Sequence, residues 1–162
     1  MTLRPLFVLL AIAAIALGQE EGSDLKAAAV RLRQGTTIPL RLPPKMPDLG
    51  QGNDPLYAIV ELAKPTAYSV IIGFTPDCNG ASVCRAGTLA ARRLPKARAP
   101  RGKKVTLVNG VSGSFREGTC AAGCADSVVE WLEGNVQYSV GVKAGSQDDV
   151  TKLANIILRN KS

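Results

Sequence analysis

Hydrophobic positions along this chain follow two rhythms, and the switches between them mark out its elements. From Leu56 the period is two: "LYAIVELA" and "AYSVIIGF" flank Lys64-Pro65-Thr66, with Tyr68, Val70, Ile72 and Phe74 alternating against smaller residues. Alternation of this kind predicts a hairpin with one buried face. "KKVTLVNGVSGSFREG" repeats the pattern around Asn109-Gly110. Both central residues of a type I′ turn need positive φ, which Asn-Gly tolerates, so a second hairpin is predicted there. "DSVVEWLEGNVQYSVGVK" predicts a third, bending at Gly134 and Asn135, with Val136, Tyr138, Val140 and Val142 on one face and Gln137, Ser139 and Lys143 on the other. Val129 and Trp131 are the expected cross-strand partners of that pair.

The helical rhythm appears towards the two ends. "SDLKAAAVRLRQG" offers Ser23 or Asp24 as an N-cap, Leu25, Ala28, Ala29 and Leu32 on one face, and Gly35 as a stop. In "SQDDVTKLANIILRNKS", Ser146 and Asp149 approach a capping box, acids occupy the first turn, and Val150, Leu153, Ala154, Ile157 and Leu158 form one apolar stripe. The Ala-rich stretch "NGASVCRAGTLAARR", poor in β-branched residues, predicts a further helix over 81–92. "TTIPLRLP" reads as an edge strand, because Pro39 cannot donate to a ladder. "PPKMPDLGQGNDP" reads as a surface loop. Together these predict an α+β fold: an antiparallel meander of about six strands with helices packed on one face.

The first residues change the picture from fold to compartment. In "MTLRPLFVLLAIAAIALGQEEG", Arg4 precedes an apolar run from Leu6 to Leu17, followed by small residues and acids. That is the layout of a signal peptide over 1–18, cut after Gly18. The run is shorter than the roughly 20 residues needed to span a bilayer. An uncleaved N-terminal anchor is the alternative reading. Residues 19–162 then form a single secreted α+β domain, with no transmembrane segment after the leader is removed and a secreted or periplasmic location.

Export makes disulfides the default fate of the four thiols, Cys78, Cys84, Cys120 and Cys124. Proximity favours Cys78 with Cys84 and Cys120 with Cys124. A crossed pairing would close loops of some forty residues, worth about 4 kcal/mol against about 2 for short loops in the chain-entropy model, so energy alone leaves the connectivity open. A metal site is disfavoured by spacing and by the absence of His. A Cys-x-x-Cys redox centre is absent.

Without His the commonest general base is missing, and no residue is assigned a catalytic role. Glu130 and Glu133 would point to opposite faces of one strand. No phosphate loop, nucleotide fingerprint or Ser elbow appears, and no cofactor is expected. The net charge is +7, and it is unevenly spread. Between Cys78 and Arg116 there is no acid, while Arg85, Arg92, Arg93, Lys96, Arg98, Arg101, Lys103, Lys104 and Arg116 all fall there. The centre of this run, with Pro95, Pro100 and Gly102, predicts an extended mobile loop. Arg92, Arg93, Lys96, Arg98, Arg101, Lys103 and Lys104 are therefore candidate anion-binding residues, although aromatic side chains for base stacking are missing from the loop. A solvated linker is the plainer alternative. Trp131 and Tyr138 are read as core, or else as markers of an apolar groove between sheet and helix.

"VVEWLEGNVQYSVGVKAGSQDDVTKLANIIL", with Trp131, Gly134, Tyr138, Leu153 and Ala154, resembles the ending of exported bacterial α+β domains of the DUF4367-like type. The resemblance implies a bacterial envelope protein engaged in interaction or sensing, and it carries over no catalytic residues. The expectation is a non-catalytic secreted or cell-envelope binding protein, its partner an anionic envelope component or another protein. A His-independent hydrolase is one rival. A structural or inhibitory module that docks by an exposed sheet edge is another.

Overall fold

The computed structural model describes residues 24–50, 52, 54–120 and 123–160, so the segment 1–18, read above as a signal peptide, lies outside the described residues. Helix α1 (Leu25–Gly35) is followed by strands β1 (Tyr57–Lys64), β2 (Ala67–Gly73), β3 (Arg85–Arg93), β4 (Lys103–Thr106), β5 (Ser112–Arg116), β6 (Asp126–Glu133) and β7 (Val136–Lys143), and then by helix α2 (Gln147–Arg159). The strands form one antiparallel sheet in the order β1-β2-β3-β7-β6-β5-β4. The sheet thus has seven strands, and it is no simple meander: a three-stranded unit and a four-stranded unit join where β3 pairs with β7.

The local signals for turns and caps are realised. Asn109 and Gly110 adopt φ 59° and 72°, and the Val111 N–H returns to the Val108 carbonyl at 3.4 Å to close the β4–β5 turn. Asp24 caps α1 by accepting from the Ala27 N–H at 2.7 Å. Ser146 and Asp149 form a full capping box on α2. The cysteines pair as near neighbours, Cys78 with Cys84 and Cys120 with Cys124, and none of the four is free.

Alternation divides the sheet into two unlike faces. One face is built of apolar rungs, such as Val70–Leu89–Val140–Val129–Phe115 across five strands and Tyr68–Ala91–Tyr138–Trp131 across four. Both helices cover this face, α1 beside β1 and α2 over β6 and β7, with Leu32, Val150, Ala154 and Ile157 fully buried in one continuous core. The rungs of the other face are small or polar: Ser69–Ala90–Ser139–Glu130–Ser114, and Ala67–Arg92–Gln137–Leu132. Among the described residues, no helix packs on it.

Two further sequence expectations fail, each for a tertiary reason. The helix predicted over 81–92 is replaced by β3, which lies at the centre of the sheet with partners on both sides. Its alanines serve as spacers: Ala91 stands in register between Tyr68 and Tyr138, where a larger residue would crowd both rings. The edge strand expected around Pro39 is not a strand. Residues 36–42 run over the helix-bearing face with Ile38 and Leu42 buried, and from Ile38 onward side chains take several of their backbone groups. The Tyr138 hydroxyl donates to the Pro39 carbonyl at 3.0 Å, and the Arg41 N–H donates to the Tyr68 hydroxyl at 3.0 Å.

Those two phenols make the fold sensitive to alkali. Burial is the main cause that raises both, pushing Tyr138 up to about 12 and Tyr68 further from the ordinary range. A raised phenol keeps its proton longer in the folded chain than in the unfolded one. Its contribution to stability is therefore complete below the ordinary value of about 10 and is lost as pH climbs towards 12. Urea unfolding should show a falling midpoint from pH 10 upwards, and Tyr138→Phe should flatten the fall. A midpoint that stays level to pH 12 would contradict this.

Candidate functional site

The sheet order dictates where the basic loop must go. β3 lies four strand positions from β4, about 19 Å at roughly 4.8 Å per strand. Nine residues join them, able to reach about 30 Å when extended. The connection therefore crosses β7, β6 and β5, and it does so on the face without helices. It is held at several points. The Leu94 N–H donates to the Asn135 carbonyl at 2.7 Å, the Ser114 hydroxyl to the Pro100 carbonyl at 2.9 Å, and Gly102 takes φ 142° against the Phe115 backbone, where a Cβ would come within 2.3 Å of the Phe115 carbonyl oxygen. The loop is laid down on the sheet and does not stand off it.

Between loop and sheet is a depression of about 470 Å³. Arg92, Lys96, Arg98, Arg101 and Arg116 line it, with Glu130 as the one carboxylate and Gln137 on the floor. A neighbouring hollow of about 350 Å³ shares Arg92, Glu130 and Gln137 and extends the trough over Ser69, Ala90 and Ser139. Small side chains make this hollow: the Ser and Ala rung leaves room above the sheet that larger residues would fill. Arg92 is the best-oriented cation. Its Nε and Nη2 both donate to Gln137 Oε1, at 3.0 and 2.9 Å, and Gln137 is itself 7% exposed. That grip fixes the guanidinium plane and leaves Nη1 for a ligand, the planar fork being suited to carboxylate, sulfate or phosphate oxygens. Arg116 stands 4.0 Å from Glu130, too far to neutralise it tightly.

The seven basic residues singled out by sequence do not act together. Arg92, Lys96, Arg98 and Arg101 converge, and Lys104 extends the same face at the β4 edge, in register with Ser114. Arg93 and Lys103 alternate to the other side, where Arg93 donates to Asn135 Oδ1 at 3.2 Å and Lys103 to Gln147 Oε1 at 3.0 Å. Arg85 is committed to structure, bound to Asp126 at 3.1 Å and to the Gly80 carbonyl at 2.8 Å. Gln137, Glu130 and Ser114 were missed as parts of the site. The alternation placed each on the polar face, but only strand order shows that the loop lies above them.

Trp131 and Tyr138 belong to the core, at 1% and 2% exposure, stacked with ring centroids 5.5 Å apart and planes 18° from parallel. Residues 36–42 close over them, with the Arg41 guanidinium 5.9 Å from the Tyr138 ring, so they line no open groove. Glu130 and Glu133 fall on opposite faces as expected. Glu133, however, is no idle surface residue: it receives Arg41 Nε at 2.9 Å, Arg41 Nη2 at 2.5 Å and Trp131 Nε1 at 3.2 Å.

The class defined by this arrangement is an antiparallel sheet covered by two helices on one side and crossed on the other by a cationic loop over a depression. No family model, curated protein or solved structure matches the chain.

Proposed function

We propose that this chain is a secreted or cell-envelope binding protein that holds an anionic partner in the trough on its open sheet face. The observation that carries the reading is the gathering of five cationic side chains around a single carboxylate in one depression. Charge of one sign in a cleft focuses the field on an incoming anion. Two disulfides suit an oxidising compartment, and no helix among the described residues is long and apolar enough to cross a membrane. The ligand class is a polyanion whose charged groups repeat along its length, such as an acidic glycan, because the trough continues past the depression towards β2.

Replacing Lys96, Arg98 and Arg101 together by Gln tests the site. The control replaces Arg31, Arg33 and Arg159 by Gln, which removes the same charge from the helices. Affinity for heparin at low salt should fall at least about tenfold, or about 1.4 kcal/mol, in the loop variant and much less in the control. Equal losses in the two variants would mean that net charge alone acts, and the trough would then be no site.

A further inference from the structure

A cavity larger than either hollow of the trough lies on the opposite side of the sheet, and its chemistry is different. Its volume is about 730 Å³, within the roughly 300–1,000 Å³ range of small-molecule sites. One wall is the Pro-rich loop over 43–50, contributing Met46 and Pro47; the other is α2, contributing Leu153 and Ile156. Ile156, 43% exposed, adds its apolar side chain to this lining.

The loop is a built wall. Leu49 packs down on β3 at Gly87, where its Cδ1 would lie 3.4 Å from an added Cβ, and Asp48 accepts from the Gly50 N–H at 2.9 Å to shape the turn. Pro43, Pro44 and Pro47 restrict φ, so the wall is preorganised, while Met46 supplies an adaptable apolar surface.

The rim is polar and has a preferred sign. Lys45, Lys143 and Lys152 stand around it with Asp48 and Asp149. Both acids are occupied locally, Asp48 by its turn and Asp149 by the Ser146 N–H and hydroxyl of the capping box. Lys143 donates to the Ser82 carbonyl. Lys45 and Lys152 make no hydrogen bond or ion pair among the described residues, and both are exposed. Lys152 also acts through space on the Asp149 carboxylate, so the rim sets three ammonium groups against two carboxylates, and an apolar chamber with that net positive mouth is complementary to a molecule that is hydrocarbon at one end and anionic at the other.

We propose that the cavity between the 43–50 loop and α2 binds the hydrocarbon chain of a fatty-acyl anion, with the anionic head group held by Lys45 and Lys152. Met46, Pro47, Leu153 and Ile156 take the chain out of water, and the head group stays at the rim where solvent completes its hydration. This site is independent of the trough, which lies across the sheet.

The probe is cis-parinaric acid, added to the disulfide-bonded protein below the concentration at which the probe self-associates. Saturable fluorescence is expected, displaced by hexadecanoate at least about tenfold more effectively than by hexadecanol or by hexadecyltrimethylammonium. Ile156→Asp, and separately Met46→Asp, should each weaken binding at least tenfold with an unchanged far-ultraviolet circular dichroism spectrum. Lys45→Gln with Lys152→Gln should abolish the preference for hexadecanoate over hexadecanol. Uptake of labelled phosphatidylglycerol from vesicles would identify a membrane lipid as the source, and uptake of fatty acid alone a free acid; either supports the assignment. No saturable binding, no preference for the carboxylate, or binding that survives both Asp variants would overturn it. Loss of parinarate binding in the Lys96, Arg98 and Arg101 variant would move the ligand to the trough, overturning this site while leaving the first proposal standing.

Discussion

Trp131→Ala is expected to cost this protein about 3–5 kcal/mol, the range for emptying a large aromatic site in a core. Trp131 is the only tryptophan and is almost fully buried. It stacks on Tyr138 across the β6–β7 pair and stands in register with Gly113 on β5, so its other neighbour has no side chain with which to fill the gap. Gly113 is also crowded: a Cβ there would lie 3.2 Å from Val105, Leu107 and the Glu130 carbonyl oxygen, so β5 has little freedom to move inward. The void would therefore persist. Against a typical total stability of about 5–15 kcal/mol, the loss would leave a marginal fold. Urea unfolding followed by far-ultraviolet circular dichroism measures it, since the tryptophan signal is gone. Trp131→Phe keeps a stacking ring and should cost clearly less. A loss below about 1 kcal/mol for the alanine variant would show that the core collapses into the space.

Glu133→Ala should be the next most damaging change, at about 2–3 kcal/mol, between the values for exposed and fully buried pairs because the Glu133 side chain keeps 30% exposure and Arg41 only 12%. The substitution strands three donors at once: Arg41 Nε, Arg41 Nη2 and Trp131 Nε1. It also loosens the 36–42 segment, which Arg41 pins over the Tyr138 ring. The cost lies in leaving the charge behind more than in losing the attraction. The double variant Arg41→Met with Glu133→Leu should accordingly recover most of the loss. A double-mutant cycle on these positions should give a coupling of at least about 1 kcal/mol, and simple additivity would refute the account.

The turns, the caps and the facing of most strands were legible in the residues themselves, and the reason is range. Positive φ at Asn109-Gly110, a Ser146 oxygen within reach of the Asp149 N–H, and the alternation of Val136, Tyr138, Val140 and Val142 are all settled within a few residues. The near-neighbour disulfides share that local character. β3 was illegible for the opposite reason. Ala-rich segments favour helix in isolation, and only the two tyrosines flanking Ala91 from β2 and β7 make small residues the right choice for a central strand. The 36–42 segment was misread because its hydrogen-bond partners are side chains 27 and 99 residues away.

The site divides along the same line. The chain by itself determined that an acid-free run of cations exists and that one face of the sheet is polar, since composition and period two are properties of sequence. Only the tertiary structure decided that Arg92, Lys96, Arg98 and Arg101 meet Arg116 over one hollow while Arg93 and Lys103 turn away. It did so through strand order: placing β3 beside β7 and β4 at the far edge forces the connecting loop across the bare face, and no pattern within the loop specifies which strands it must cross.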